Sequence, residues 1–251
     1  MNGRFHAMAI TLRLDNYSPT DFVALASRFG SERYDYVVTP NVDHIIRYWD
    51  EPSYRQLYAD AGFVLLDSRF LARIIGLFKG RVPQVTPGSD LTSALFSHAI
   101  GPDDVVVLIG GSNEQARELA RRFGLRDLRH FNPPMGFIRD PAATAACLEY
   151  VEAQSPFRFC FLAVGCPQQE MLAQQLKLRS RARGLALCVG ASINFLTGVE
   201  RRAPGWMQSL GVEWLFRLLQ DPGRLARRYL VRGPRIFTML PRMKIELMDP
   251  R

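Results

Sequence analysis

The 251-residue sequence lacks several features that identify large classes of proteins. It has only four cysteines, with no CxxC or CxxxC pair, and three of them lie in apolar stretches. This usage is typical of small core residues in a reducing compartment and argues against a disulfide framework or a zinc site. No stretch approaches the roughly 18 apolar residues that span a bilayer, and residues 1–15 contain no continuous apolar signal segment. We therefore expect a cytoplasmic protein.

Several catalytic motifs are also absent. There are only four histidines, and the sequence contains no GxSxG elbow, no HExxH motif and no kinase-like set. It also lacks GxGxxG and an acidic residue about 20 positions beyond a suitable glycine turn, which argues against a Rossmann-type dehydrogenase. Many sugar-nucleotide enzymes hold a divalent metal with a DxD pair, and no such pair is present. We therefore predict no metal ligands and no cofactor.

Charge is abundant but unevenly distributed. The formal net charge is +8, and residues 199–251 contribute 11 Lys and Arg against 5 Asp and Glu, so this last part carries +6 and the rest +2. A basic block of this kind predicts an anionic partner such as phosphates, nucleic acid or acidic lipid headgroups. A nucleic-acid-binding α/β protein without catalytic activity is thus an alternative function, although no known recognition module is visible.

Short apolar, β-branched runs alternate with segments of helical period. The predicted strands cover residues 34–38, 63–66, 105–109, 157–164 and 185–189. The predicted helices cover residues 53–61, 68–79, 90–99, 113–123, 141–153 and 168–182. This alternation predicts an α/β fold with a Rossmann-like, mostly parallel sheet flanked by helices, in which ligands bind at the carboxyl ends of the strands.

The alternation ends near residues 198–205, so we predict an α/β catalytic domain at 1–198 and a basic, amphipathic helical appendage at 199–251. Asp221 and Pro222 are typical of the N-cap and first position of a helix in this appendage. A helical stripe precedes them, with apolar residues at i, i+4, i+8 and i+12: Trp206, Leu210, Trp214 and Leu218. The stripe can equally pack on the α/β core and leave the arginines as a solvated face.

Polar residues follow the first two predicted strands. Thr39 and Asn41 suit a polyhydroxylated ligand, although the same TPNVDH segment also fits a proline turn with a helix cap. Asp67 follows the second strand, where a carboxylate can take a proton from an attacking hydroxyl. The alternative for Asp67 is the N-cap of the following helix.

Two later strands end in glycine turns. Gly110 and Gly111 can expose backbone N–H groups to phosphate oxygens, but a plain strand-to-helix turn explains them equally well. Gln169, in the GCPQQE segment, can hold a base or a sugar, and the alternative is an exposed glutamine at a helix start.

Taken in order, these segments resemble the WecG/TagA/CpsF family of bacterial glycosyltransferases. The matching segments are TPNVDH, LLDSR, PGSDL, VLIGGS, GCPQQE, GASINFLTG and RRAPGWMQSLGVEWLFRLLQDPGRLARRYL, and they cover about residues 34–235. The resemblance implies transfer of a sugar from a UDP-sugar to a polyprenyl-diphosphate-linked saccharide at the inner membrane face, in exopolysaccharide or cell-surface polysaccharide synthesis. It also implies inversion of the anomeric centre without a bound metal.

The resemblance also implies roles for individual residues. Asp67 corresponds to the catalytic base that deprotonates the acceptor hydroxyl, and Thr39 and Asn41 correspond to a pair that positions the sugar or the acceptor. The implied substrate-binding residues are Gly110, Gly111, Gln169, Gly190, Arg81, Arg217, Arg224, Arg227 and Arg228. Arg81 is included because Val85 occupies a place where many members have an arginine.

Other positions also depart from the family pattern. Ser68 replaces a glycine beside Asp67, Ile193 and Asn194 replace a Phe-Asp pair, and Phe137 stands where a tyrosine is frequent. These changes suggest a subgroup with a different donor or acceptor. The leading candidate is the subgroup of exopolysaccharide glucosyltransferases of the xanthan type.

A lipid-linked acceptor explains why a protein without a predicted membrane span has an apolar, cationic tail at residues 199–251. Arg224, Arg227, Arg228 and Arg232 can pair with phosphates of lipid and acceptor, each contributing about 1 kcal/mol at an anionic surface. We expect the tail to dock on the inner membrane face and to close over the active site. Its apolar surface also allows a homo-oligomer to form when no membrane is present.

Overall fold

The computed structural model describes residues 10–250. Residues 1–9, part of the N-terminal stretch without a signal segment, and Arg251, one of the tail charges, lie outside the described residues. The strands are β1 (Thr11–Asp15), β2 (Tyr34–Val38), β3 (Phe63–Val64), β4 (Val106–Ile109), β5 (Leu128–Phe131), β6 (Phe159–Leu162), β7 (Gly184–Cys188) and β8 (Lys244–Met248). The helices are α1 (Pro19–Ser27), α2 (Val42–Asp50), α3 (Pro52–Ala59), α4 (Arg69–Lys79), α5 (Gly88–His98), α6 (Asn113–Phe123), α7 (Pro141–Ala153), α8 (Gln168–Arg179), α9 (Ser192–Leu196), α10 (Gly205–Ser209), α11 (Glu213–Gln220), α12 (Pro222–Ala226) and α13 (Ile236–Met239).

A six-stranded, fully parallel sheet forms the centre of the protein. Its strand order is β3-β2-β7-β6-β4-β5, and residues such as Val38 and Cys188 are paired across neighbouring strands. Strands β4, β6 and β7 are buried along their whole length, as expected for a parallel sheet that is covered on both faces. The predicted Rossmann-like α/β fold is therefore confirmed.

The helices cover the two faces of the sheet in separate layers. Helices α2, α3, α4, α7 and α8 pack in one hydrophobic cluster, and α1, α5, α6 and α9 pack in the other. The segments that follow β2 and β7 therefore leave these adjacent strands toward opposite faces. A crevice opens at their carboxyl ends, where ligands of open α/β sheets bind.

The five predicted strands and six predicted helices are present, but several boundaries and elements differ. The helix predicted over residues 168–182 ends at Arg179, because Ser180 adopts a left-handed conformation with φ 54°. Helices α1, α2, α9 and α13 and strands β1, β5 and β8 were not predicted. Strand β5 reads LRHF and is only partly buried, so its hydrophobic pattern is weak.

The tail is less regular than its apolar stripe predicts. Gly211 has a φ of +69° and separates α10 from α11, so the prediction of one continuous helix from Trp206 to Leu218 is wrong. The predicted cap is confirmed, because the Asp221 side chain accepts a hydrogen bond from the Arg224 N–H at 3.2 Å. Residues Arg227–Arg232 then form a π-helical turn.

After this turn the chain returns to the α/β core. Ile236, Leu240 and Met243 are buried in the same hydrophobic cluster as α2 and α4, and β8 pairs in parallel with β1 from Thr11↔Lys244 to Asp15↔Met248. Within residues 10–250, no helix combines the length and the hydrophobicity needed to cross a bilayer. The division of the chain at residue 198 remains a prediction.

Candidate active site

A cavity of about 820 Å³ lies at the carboxyl ends of β2, β3, β6 and β7, beneath the tail. Its floor is polar and includes Thr39, Asn41, Asp67, Gln169 and Gly190. Its roof combines guanidinium groups and aromatic rings from the tail: Trp214, Arg217, Arg224, Arg228, Tyr229 and Phe237. Eight of the predicted site residues thus meet at one cavity.

Asp67 faces this cavity because its neighbour caps the next helix. The Ser68 side chain accepts from the Leu71 N–H at 3.2 Å, so the alternative interpretation of Asp67 as the N-cap is wrong. Asp67 Oδ1 instead accepts from the N–H of Gly88, at the start of α5, at 2.7 Å. The pKa of Asp67 is raised to about 6, chiefly by burial; the Gly88 N–H and Arg217 act to lower it, and Glu213 acts to raise it. A carboxylate with such a pKa is suited to general-base chemistry near neutral pH.

Thr39 and Asn41 lie beside Asp67 but also have structural partners. The buried Thr39 hydroxyl donates to the Cys188 carbonyl at 3.1 Å, across β2 and β7. A Cβ at Gly88 would lie 3.2 Å from Thr39 Oγ1 and 3.7 Å from Asp67 Oδ1, so glycine there lets these side chains approach. Asn41 caps α2, with its Oδ1 accepting from the Asp43 N–H at 3.1 Å, which confirms the helix-cap interpretation for this residue.

Gln169 is only 2% exposed, so the alternative of an exposed glutamine at a helix start is wrong. Its Oε1 accepts from the Gly190 N–H at 3.0 Å, and its Nε2 donates to Glu170 Oε1 at 2.8 Å. Burial raises the pKa of Glu170 to about 7. Gln169 therefore joins the start of α8 to the turn after β7, and both form the wall of the cavity.

One group of side chains has the composition of a metal site. Ligand atoms of His44, Cys166 and Glu170 lie within 4.8 Å of one another. His44 Nδ1 is 3.1 Å from the Tyr58 hydroxyl, and Cys166 Sγ is 3.2 Å from the Tyr54 hydroxyl. Burial, followed by the charge of Arg228, lowers the pKa of His44 to about 3, so its ring is neutral at physiological pH. We interpret the group as a buried polar cluster behind the cavity, in which His44 Nδ1, Cys166 Sγ and Glu170 Oε1 have hydrogen-bond partners and Glu170 Oε2 has none.

The tail arginines are held over the cavity by acidic and amide groups of the core. Arg228 donates to Asn41 Oδ1 at 3.2 Å, and Arg228 and Arg232 lie 3.8 and 3.5 Å from the Asp43 carboxylate. Burial alone would raise the pKa of Asp43, but Arg228, Arg47 and Arg232 lower it below its usual range. An adjoining cavity of about 330 Å³ is lined entirely by arginines: Arg224, Arg227, Arg228 and Arg232.

The chain matches the sequence model of the glycosyl transferase WecG/TagA/CpsF family over residues 8–249. The protein belongs to this family. Membership indicates glycosyltransferase activity in cell-surface polysaccharide synthesis, with a sugar donor and an acceptor as substrates. It favours this function over the nucleic-acid-binding and dehydrogenase alternatives, and it accounts for a carboxylate and several guanidinium groups around one cavity.

Four of the residues expected to bind substrate do not line the large cavity, and one of them, Arg227, lines only the adjoining arginine cavity. Arg81 is exposed and pairs with Asp249 at 3.4 Å, so it does not supply the positive charge missing at Val85. Gly110 and Gly111 have φ values of +92° and +77° and form the turn between β4 and α6. A Cβ at Gly110 would lie 2.8 Å from the Ala163 carbonyl oxygen, which explains the glycine by packing against the end of β6.

The sequence analysis also missed residues that line the candidate site. Glu213 and Trp214 begin α11 and line the cavity one turn before Arg217, and Phe237 contributes from α13. The spacing of Glu213 and Arg217 at i and i+4 is visible in the sequence and places both side chains on one face of a helix. The apolar stripe at Trp206, Leu210, Trp214 and Leu218 does not include them. Nothing in the sequence indicates that Phe237 returns to the site.

Proposed function

We propose that this family member is an inverting glycosyltransferase that moves a hexose or N-acetylhexosamine from a UDP-sugar to a polyprenyl-diphosphate-linked saccharide. The observation that carries the proposal is the Asp67 carboxylate, with a pKa near 6, in a cavity whose roof bears Arg217, Arg224 and Arg228. A base and a diphosphate-binding group at one cavity are the two parts that such a transfer requires.

In the proposed step, Asp67 takes the proton of the acceptor hydroxyl as the oxygen attacks the anomeric carbon. The bond from that carbon to the diphosphate oxygen breaks, and its electron pair leaves with UDP. Attack from the side opposite the leaving group inverts the anomeric centre. Thr39, Asn41 and Gln169 form the polar wall on which the sugar and the acceptor are oriented.

The arginines stabilise the leaving diphosphate in this proposal. A guanidinium group pairs with phosphate oxygens in two places, so several of them neutralise the charge that develops on UDP. Together with the absence of a DxD pair, this supports a reaction without a bound metal. The proposal assigns no cofactor.

We also propose that residues 199–251 act as the appendage that docks the enzyme on the inner face of the membrane. The tail exposes large apolar side chains near its arginines: Trp206 at 62%, Leu219 at 72%, Leu230 at 57% and Val231 at 66% exposure. Apolar side chains beside cationic ones bind the interface of an anionic bilayer. Sedimentation with phosphatidylglycerol vesicles, but not with phosphatidylcholine vesicles, is the expected result, and equal recovery with both would contradict it.

The reaction is tested by UDP release from a panel of UDP-sugars, with and without short-chain polyprenyl-diphosphate-linked glucose or N-acetylglucosamine. One donor and acceptor pair should release UDP, and Asp67→Asn should abolish the release. Asp103→Asn removes an exposed carboxylate far from the cavity and serves as the matched control. Full activity of Asp67→Asn would remove Asp67 as the base, and acceptor-independent release would contradict transfer to a lipid-linked sugar.

A further inference from the structure

A chain of side-chain hydrogen bonds runs from the β4–α6 turn toward the tail. It begins at the backbone N–H of Ser112, which donates to Gln115 Oε1 at 2.9 Å. A backbone N–H can only donate, so it fixes which end of the Gln115 amide is oxygen. Gln115 Nε2 therefore donates to Asn194 Oδ1, at 2.8 Å, and to Thr197 Oγ1, at 3.1 Å.

The same logic fixes the next amide. Because Asn194 Oδ1 accepts from Gln115, its Nδ2 points the other way and donates to Glu200 Oε1 at 2.9 Å. The backbone strengthens this contact, since the Glu200 N–H donates to the Asn194 carbonyl at 3.1 Å. The amide at position 194 accepts on one side and donates to a carboxylate on the other, whereas an ionised aspartate there could only accept. Glu200 is thus held in one orientation by α9.

The second oxygen of Glu200 faces the cavity roof. Arg217 Nη2 lies 3.8 Å from Glu200 Oε2, and the Arg217 guanidinium carbon is 5.6 Å from the centre of the Phe195 ring. Arg217 is held between this carboxylate and this ring while it lines the same cavity as Asp67. Arg224, by contrast, pairs with the exposed Asp221 three positions before it, a contact that orders a side chain weakly.

We propose that Asn194 and Glu200 are positioning residues that hold Arg217 in the orientation in which it receives the diphosphate of the donor. The inference rests on the proposed function for the identity of the ligand. An arginine has several rotatable bonds, and ordering them when the ligand binds lowers affinity. A guanidinium group that is ordered in the free enzyme avoids that loss. The β4–α6 turn does not line the cavity, but through Gln115, Asn194 and Glu200 it helps to orient Arg217 for donor binding.

Asn194→Asp tests this series of contacts, because aspartate and asparagine side chains have almost the same shape. The new carboxylate still accepts from Gln115, but its second oxygen takes the place of the amide nitrogen, 2.9 Å from the Glu200 carboxylate. The two like charges repel, so Glu200 turns away and Arg217 loses its partner. Calorimetry should show affinity for UDP lower by about tenfold, the size expected when a hydrogen bond to a charged group is lost.

Glu200→Gln completes a double-mutant cycle. The amide that this substitution introduces can donate to an aspartate at position 194, so Asn194→Asp should cost less than about twofold in the Glu200→Gln background. The order of the Arg217 side chain is read independently from the NMR signal of its Nε–H, which is assigned by its loss in Arg217→Lys. That signal should be ordered in the wild type and averaged in Asn194→Asp. Asn113→Asp, also an added charge near the start of α6, should change neither readout.

The possible outcomes distinguish two claims: that Asn194 and Glu200 position Arg217, and that the donor is a UDP-sugar. If Asn194→Asp leaves both UDP affinity and the Arg217 signal unchanged, or lowers affinity equally in both backgrounds, Asn194 does not act through Glu200 and the inference is overturned. If the wild type does not bind UDP but Asn194→Asp still disorders the Arg217 signal, the positioning chain stands and the UDP-sugar donor of the proposed function is wrong.

Discussion

Replacing the proposed base should make the protein more stable as it loses activity. The folded-state pKa of Asp67 is raised from 3.8 to about 6, chiefly by burial. The folded protein therefore binds this proton more tightly than the unfolded chain does, and stability falls as pH rises from about 4 to about 6. Above pH 6 the ionised carboxylate opposes folding to its full extent. Asp67→Asn removes that cost while its Oδ1 still accepts from the Gly88 N–H.

The size of the effect follows from the shift. A difference of about two pKa units corresponds to about 3 kcal/mol, since each unit is worth about 1.4 kcal/mol. The side chain opens on the cavity on one side, and water there reduces the penalty. We therefore expect a gain of about 1–2 kcal/mol at pH 7.5 and almost none at pH 4.

Thermal unfolding of the wild type and Asp67→Asn from pH 4 to pH 8 measures this directly. The difference between their Tm values should grow between pH 4 and pH 6.5 and then remain constant, while Asp103→Asn shows no such trend. The transfer rate of the wild type should fall about tenfold from pH 7 to pH 5, because the base becomes protonated. A constant Tm difference across this range would refute the argument that burial raises the pKa of Asp67.

Three further predictions concern other parts of the protein. Glu170, with a pKa raised to about 7 by burial, should make the wild type lose stability from pH 5 to pH 7, and Glu170→Gln should flatten this curve of Tm against pH. Arg81→Ala should change KM for the donor by less than about twofold because the Arg81 ion pair is exposed, whereas Arg217→Ala should raise KM about tenfold or more. Gly211→Ala should cost about 1–2 kcal/mol in urea unfolding, because φ is +69° and the new Cβ lies 3.1 Å from the Phe70 nitrogen; Gly223→Ala, with open space around it, should cost nothing.

The sequence alone predicted the features that depend on local pattern. Buried runs such as 34–38 and 185–189 predicted the parallel sheet, because strands covered on both faces are continuously apolar. The position of Asp67 and Gln169 directly after strands predicted that they meet at one edge of the sheet. Asp221 before Pro222 predicted the start of α12, since capping is a local interaction.

Other features depend on residues that are distant in the chain. The pairing of β1 with β8, more than 200 positions away, is a long-range contact, and the short polar–apolar alternation of TLRLD and KIELM does not specify it. The N-cap alternative for Asp67 is excluded only by the fold, in which Ser68 caps α4 and the Asp67 carboxylate accepts from the Gly88 N–H; its role as the base stays a prediction. Arg81 and Gly110 do not line the predicted site because distant residues fix their positions. Arg81 pairs with Asp249, and Gly110 packs against Ala163.

The chemistry of the site also depends on residues that are distant in the chain. A carboxylate in LLDSR has an ordinary pKa until the fold buries it and brings Glu213 beside it from the tail. Nothing in the sequence marks Asn194, Glu200 and Arg217 as partners. Only the packing of α6, α9 and α11 brings them together, through a hydrogen bond from Asn194 to Glu200 and an ion pair between Glu200 and Arg217. The sequence by itself determined most strands of the central sheet, most of the long helices that cover it, and the position of Asp67 and Gln169 after strands. The tertiary structure decided which of those residues meet and how they ionise, because burial and long-range contacts exist only in the folded chain.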